Sequence, residues 1–327
     1  MTNQWLVYLI SAAGFALAGA AYYRYALRRH ILDHPSERSS HRQPTVRGGG
    51  IIFAVAMLTA YFLYLFPAYP YFLAGFLLLS VTGFTDDKHR LSARVRFPIQ
   101  AVAAVLILYD AGLWTADWPW YVKVAGLVTA LGFVNAFNFM DGINGITTAY
   151  TVVLLLLLGA VNRHVGALPE QIFVLLLISL LVFGFFNFRR HALMFAGDVG
   201  TMALASVLLF VWTRLAVQTG APVLLLLVAV YGIDSALTII RRLLDGEKIW
   251  EAHRRHAYQK LVDKCGWSHL QVSTAYALVQ FLIGLWVVGT DIYEKSLKIQ
   301  WLILTIGLIT FAFVYYLIIY RACEKHS

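Results

Sequence analysis

Several short stretches of this chain carry polar residues that an apolar sequence does not hold idly. Phe84-Thr-Asp-Asp-Lys-His-Arg sets Asp86 and Asp87 side by side. Adjacent carboxylates repel, so the pair reads either as a phosphate or Mg²⁺ site or as a helix stop neutralised by basic neighbours. Asn135, Asn138, Asp141 and Asn144 recur every third residue, which puts successive pairs on one helical face. Their oxygens are hard ligands of the kind Mg²⁺ takes, and Gly142 and Gly145 would let a ligand approach the backbone. Asp198, between Gly197 and Gly200, reads equally as a helix N-cap or a metal ligand. Asp234 lies seven residues before Arg241, about 10 Å along a helix, as an arginine's partner or a site residue.

Basic groups accompany these acids. Glu251-Ala-His-Arg-Arg-His-Ala-Tyr-Gln puts His253 and His256 on one face if helical, beside Arg254 and Arg255. Zinc would need further ligands, and only Cys265 and His269 are near; phosphate oxygens suit the cluster better. Ser36-Glu-Arg-Ser-Ser-His-Arg-Gln-Pro-Thr-Val-Arg-Gly-Gly-Gly offers hydroxyls, guanidiniums and three glycines. It lacks the Gly-x4-Gly-Lys-Ser/Thr spacing of a P-loop. Its glycines pack helices closely, expose N–H groups to an anion, or do both.

The elements that must position these residues are membrane helices. Of 327 residues, 60% are hydrophobic and 13% charged, about half the charge of a soluble domain. Stretches near the ~20 residues that cross a bilayer fall at about 5–27, 49–66, 71–84, 97–113, 119–137, 146–161, 172–188, 201–217, 222–240, 269–288 and 299–320. Runs such as Val152–Leu158 do not alternate as barrel strands do. The expectation is an all-α polytopic protein of about eleven spans. Of 26 Lys and Arg, 21 fall on one side if the N-terminus is outside, so the positive-inside rule puts the C-terminus in the cytoplasm. The net charge of +9 is absorbed by this topology, and no nucleic-acid partner is expected. The apolar N-terminal run reads as a first span rather than a signal peptide. Cys265 and Cys323 would both face a reducing compartment, so no disulfide is expected. The chain reads as one membrane domain, 1–327, with its chemistry in inner loops at about 28–48, 85–97, 135–146, 187–200 and 241–268.

Five motifs in order, SERSSHRQPTVRGGG, DDKHRLSARVRFPIQ, NAFNFMDGINGI, FAGDVGTMAL and EAHRRHAYQKL, resemble the polyprenyl-phosphate N-acetylhexosamine-1-phosphate transferases of glycosyltransferase family 4. The likeness is greater to bacterial members that begin O-antigen or other surface-polysaccharide synthesis than to peptidoglycan translocases, whose last motif is a triple histidine. The resemblance implies transfer of a sugar 1-phosphate from a UDP-N-acetylhexosamine to undecaprenyl phosphate, with Mg²⁺ (or Mn²⁺) and release of UMP, at the cytoplasmic face of the bacterial inner membrane. It implies Asn138 and Asp198 as metal ligands, with Asp198 also counted as catalytic. Asp86 and Asp87 would handle the lipid phosphate, one of them as a base. Asp141 and Asn144 would hold the nucleotide and metal shell, and His253, Arg254 and His256 the diphosphate or sugar. Ser39, His41, Arg47, Arg96 and Asn135 complete the candidate substrate-binding set. Arg96 stands where the family often has Lys, and Asn144 where translocases have Asp. The sugar and pathway stay open, a homodimer is allowed, and a transporter or flippase for an anionic lipid or sugar phosphate is the alternative.

Overall fold

The structure is a computed structural model that describes residues 3–35, 43–89, 91–248, 253–289 and 295–317. Among them are helices α1 (Gln4–Arg28), α2 (Ile51–Ala60), α3 (Pro70–His89), α4 (Ala93–Asp110), α5 (Trp120–Phe139), α6 (Ile146–Val165), α7 (Glu170–Asn187), α8 (Gly197–Thr219), α9 (Ala229–Leu244), α10 (Ala257–Asp263), α11 (His269–Gly289) and α12 (Leu297–Leu317). A helix lies at each of the eleven expected positions, and α10 is an additional short one. Eight are long and apolar enough to cross a membrane: α1, α5 to α8, α11, α12 and the stretch Pro222–Leu244 that ends in α9. The other three differ for physical reasons. Residues Ile51–Leu65 are short, closing in a π-helical turn at Tyr61–Leu65. Helix α3 ends on Asp86, Asp87, Lys88 and His89, and α4 carries Arg94, Arg96 and a terminal Asp110.

Helix α8 is the axis of the bundle, with 83% of its most apolar window buried, against 11% for α12. Two glycine contacts let neighbours reach its first turn backbone to backbone. A Cβ on Gly50 would collide with the Gly200 Cα, and one on Gly83 would lie 2.5 Å from the Asp198 carbonyl oxygen. The N–H groups of Gly49 and Gly50 donate to the Phe195 and Ala196 carbonyls. Gly49 and Gly50 are thus used for close packing against the start of α8.

The span expected at 222–240 is not one continuous α-helix. Pro222–Val228 form a 3₁₀ segment before α9. Backbone groups freed at such a break need partners where no water reaches. Gln280 of α11 supplies them: its Nε2 donates to the Leu226 carbonyl and its Oε1 accepts from the Val230 N–H. The Tyr150 hydroxyl of α6 donates to the same Oε1.

The fold also adds a two-stranded antiparallel ribbon to the all-α expectation, β1 (Leu32–Asp33) and β2 (Thr45–Val46). Val46 bridges on to Met194, and its carbonyl accepts the Phe195 N–H. The ribbon thus carries Asp33 and Arg47 to the start of α8.

Candidate active site

The C-terminal ends of α3 and α5 and the N-terminal ends of α4, α6 and α8 meet at one end of the bundle, where acids and guanidiniums interlock. Arg47 Nε donates to Asp87 Oδ1 at 2.5 Å and its Nη2 to Asp198 Oδ1 at 3.1 Å. From the opposite side Arg96 Nη1 donates to Asp86 Oδ2 at 2.7 Å and lies 3.7 Å from Asp198 Oδ2. Three carboxylates adjacent in space are thereby held by two cations, one per flank. Burial opposes the charge on Arg47, but Asp198 and Asp87 outweigh it and its pKa is raised.

Asp87 has a second duty. Its oxygens accept the backbone N–H groups of Asp198 and Val199 at 2.9 and 3.0 Å. These are orphan donors of α8's first turn, where negative charge is favoured. Asp87 thus caps α8 from another helix. Asp198, whose local sequence read equally as a cap, makes no capping bond to its own helix. Its carboxylate instead lies between Arg47, Arg96 and Asn138, whose Nδ2 donates to Asp198 Oδ1 at 3.1 Å and to Thr201 Oγ1 at 2.9 Å.

A cavity of about 220 Å³ opens beside Asp198, lined by Arg47, Asn138, Asp141, Asn144 and Asp198 together with Asp33, Asn187, Gln259 and His269. The four residues Asn135 to Asn144 do not share a helical face as their spacing suggested. Helix α5 ends at Phe139, so Asp141 and Asn144 stand on the loop that follows. Asn135 turns away, donating to Gln100 Oε1 and the Leu131 carbonyl, and does not line the cavity. Asp141 accepts from Thr147 Oγ1 at 2.6 Å, and burial pushes its pKa up to about 6. Asn144 holds the loop by donating to the Arg189 and Arg190 carbonyls.

Of the two glycines foreseen as an approach for a ligand, Gly142 lines the cavity and Gly145 does not. A Cβ on Gly142 would strike the Tyr258 hydroxyl and one on Gly145 the Phe188 ring. The Gly145 N–H donates to Asn187 Oδ1 at 2.8 Å.

The basic loop stands apart from this cavity. Residues 253–255 are not helical, and His256 caps α10. His253, Arg254 and Arg255 line a neighbouring cavity with Arg242, Glu247 and Lys248. Arg254 pairs with Asp263 through two 2.6 Å hydrogen bonds, while Arg255 pairs with Asp245 and Glu247. Burial and the adjacent His256 pull the His253 pKa down to about 4, so near neutrality that ring is a hydrogen-bonding group rather than a cation. His256 and Asp234 form a separate buried pair at 3.2 Å, which makes Asp234 the partner of an imidazole rather than of an arginine. The loop's link to the acid cluster is Tyr258, whose hydroxyl donates to the Phe139 carbonyl at 3.0 Å, one residue past Asn138.

Ser39 and His41 lie outside the described residues, as does Cys323; Cys265 is a free thiol. Among the described residues no three His, Cys, Asp or Glu side chains converge on one metal position. Sequence reasoning passed over Asp33 and Asn187 and weighed His269 only as a zinc ligand, whereas all three line the cavity. Gln259 stands inside the EAHRRHAYQKL motif, one residue past Tyr258, but its amide alone signals no chemistry.

Residues 69–216 match the family model of glycosyl transferase family 4. The match spans both carboxylate helices and the Asn138–Asn144 loop but not Arg47 or the His253 loop. Among curated proteins, a probable undecaprenyl-phosphate N-acetylglucosaminyl 1-phosphate transferase of Bacillus subtilis is 28% identical over 89% of this chain and 84% of its own length. An undecaprenyl-phosphate alpha-N-acetylglucosaminyl 1-phosphate transferase of Yersinia pestis is 23% identical over 93% and 87%. A phospho-N-acetylmuramoyl-pentapeptide-transferase of Carboxydothermus hydrogenoformans is 25% identical over 76% and 85%. The motifs, the matched segment and these relatives agree in what the chain is similar to: glycosyltransferase family 4, and within it the polyprenyl-phosphate N-acetylhexosamine-1-phosphate transferases.

Proposed function

We propose that the protein transfers an N-acetylhexosamine 1-phosphate from a UDP-sugar to undecaprenyl phosphate and releases UMP, as the membrane step that opens a surface-polysaccharide pathway such as O-antigen. The observation that carries this reading is the cluster in which Arg47 and Arg96 flank Asp86, Asp87 and Asp198 at the mouth of a polar cavity. Phosphoryl transfer is chiefly a matter of positioning and charge neutralisation, and this cluster supplies both. A lipid phosphate is largely dianionic near pH 7, its second pKa being about 6. It can attack the sugar-bearing phosphorus in line without a strong general base. Both oxygens of Asp86 and of Asp87 are engaged, by the Leu91 N–H, Arg96, Arg47 and α8's first N–H groups. That engagement favours holding the arginines over acting as a base.

Mg²⁺ takes hard oxygens, often one or two carboxylates completed by water and substrate phosphate. Asp198, Asp141 and Asn138, all on the cavity wall, fit that donor set, and the ion would neutralise diphosphate charge. In this reading the chain crosses the bacterial inner membrane eleven times as one domain, N-terminus outside, with the site on the cytoplasmic face where 21 basic residues gather. The transporter alternative is not favoured, since the relatives are named as transferases and the acids cluster at helix ends rather than midway.

The test is UMP release from membranes supplied with undecaprenyl phosphate, Mg²⁺ and a panel of UDP-N-acetylhexosamines. Lipid- and Mg²⁺-dependent UMP from one donor supports the reading and names the sugar. No UMP from any donor, with folded protein, refutes it.

A further inference from the structure

Arg47 holds Asp87 and Asp198 at once, and its planar fork can do so from few backbone positions. Yet Arg47 stands on the short stretch between β2 and α2, outside any helix, so its backbone must be fixed from elsewhere. The Arg47 N–H donates to the Ile31 carbonyl at 3.2 Å, which ties it to the chain leaving α1. Two residues on, the Gly49 N–H donates to the Phe195 carbonyl at 2.9 Å, just before α8. The Arg47 carbonyl lies between these ties, and a residue outside every motif takes it. The Tyr22 hydroxyl, on α1, donates to that carbonyl at 2.8 Å.

The fit around this bond is close. Tyr22 belongs to the inward stripe of α1, with Phe15, Gly19 and Ala26, and is 7% exposed. Gly48 has a φ of +85°, and a Cβ there would lie 2.3 Å from the Tyr22 hydroxyl oxygen and 3.5 Å from Asp87 Oδ2. Only glycine at this turn admits both the phenol and the carboxylate. Tyr22 does not line the cavity beside Asp198, so its task is not contact with a substrate there. Helix α1 is also little buried, at 22% of its most apolar window, and this bond gives a peripheral helix a hold on the acid cluster.

We infer that Tyr22 is a positioning residue for the transfer: from α1 it holds the Arg47 backbone where the guanidinium meets Asp87 and Asp198 together. The inference rests on the transferase reading for its reaction and on the Tyr22–Arg47 hydrogen bond for its geometry. Without the bond Arg47 keeps its charge but bridges the two acids for less of the time. A neutral hydrogen bond of this kind is worth roughly three- to tenfold. Because Tyr22 acts through Arg47, its effect should depend on the side chain at position 47.

The test measures UMP release by purified protein for wild type, Tyr22→Phe, Arg47→Lys and the double variant. Tyr22→Phe should lower kcat/KM roughly three- to tenfold. In Arg47→Lys, whose ammonium meets one acid at a time and needs no exact aim, the same change should cost less than about twofold. Tyr25→Phe is the control: its ring centroid is 6.3 Å from that of Tyr22, it is 42% exposed, and its rate should stay within about twofold of wild type. No loss in Tyr22→Phe, a full loss that persists in the Arg47→Lys background, or an equal loss in Tyr25→Phe overturns the inference. Isotope labelling tests the bond without turnover. Arg47-Gly48 is the only Arg-Gly step in the sequence, so carbonyl-¹³C arginine combined with ¹⁵N-glycine isolates one carbonyl–amide pair. Its carbonyl signal should move upfield when Tyr22→Phe removes the donor, and an unmoved signal overturns the inference. Should wild type release no UMP from any donor, the transferase reading fails, and the carbonyl signal still decides whether Tyr22 holds Arg47.

Discussion

Replacing Arg47 is the sharpest probe of the acid cluster, because one side chain spans two helices' carboxylates. A lysine keeps the charge but, lacking the planar fork, meets Asp87 or Asp198 and not both. One charge-assisted hydrogen bond is then lost, worth about 1.5–3 kcal/mol. A quarter of the Arg47 side chain is exposed (25%), which favours the lower part of that range, about 1.5–2 kcal/mol. At 1.36 kcal/mol per factor of ten, Arg47→Lys should lower kcat/KM roughly 10- to 30-fold. Arg47→Ala leaves Asp87, whose side chain is 1% exposed, facing Asp198 without its cation. Stripping one partner from a buried pair costs about 3–5 kcal/mol, so turnover should fall more than about 100-fold and the melting temperature should drop. The assay is UMP release from purified protein in detergent, with thermal unfolding run in parallel. Wild-type kcat/KM in Arg47→Lys, or a loss within threefold in Arg47→Ala, would refute the claim that Arg47 neutralises the cluster.

Other expectations follow from the same geometry. Asp198→Asn should nearly abolish UMP release, and substantial residual activity would count against Asp198 as a metal ligand. Asp141 carries a pKa raised to about 6 by burial, so its charge is present above that pH and lost as pH falls through it; because the lipid phosphate also titrates near pH 6, wild-type kcat/KM should fall more steeply on the acid side than that of Asp141→Asn, and equal slopes would remove Asp141 from the profile. Chelation of divalent ions should stop turnover and added Mg²⁺ restore it, while a chelated enzyme at full rate removes the ion from the scheme. Gly83→Ala puts a methyl group 2.5 Å from the Asp198 carbonyl oxygen, and since backbone cannot yield cheaply, it should cost at least tenfold in rate and lower the melting temperature. Gly132→Ala, with nothing within 4 Å, serves as its neutral control.

The membrane helices were legible in the sequence because a long apolar run fits little besides a bilayer span. The 3₁₀ break at Pro222–Val228 was not, since the stretch is uniformly apolar and the Gln280 side chain that satisfies the break lies on another helix. The acids of the site were legible individually as costly groups at helix ends. Their division of labour was not. Asp87 and Asp198 have the same local credentials, and only the approach of α3 to α8 makes Asp87 the cap and leaves Asp198 to the cavity. Spacing misled where it assumed continuous helix, at Asn135 to Asn144, and likewise at His253 to His256. Asp33 and Asn187 were invisible because a single polar residue at the end of an element signals nothing until the fold shows what it lines, and His269, at the start of α11, was weighed only as a zinc ligand.

The close contacts explain why this chemistry needs the membrane helices rather than merely tolerating them. Gly50 and Gly83 bring α2 and α3 against the first turn of α8 at distances no side chain would allow. Only at that approach can Asp87 reach α8's N–H groups while Arg47, one residue before the glycines, reaches Asp87 and Asp198 together. A rigid, half-buried array of charge is what a transfer governed by electrostatic preorganisation requires. A water-exposed loop could carry the same residues, but solvent would screen the ion pairs, and side-chain entropy would disperse them. The apolar packing around α8 and the polar array at its tip are therefore one design. Any change that loosens the glycine contacts should act on the rate as an active-site change does, without touching a charged residue.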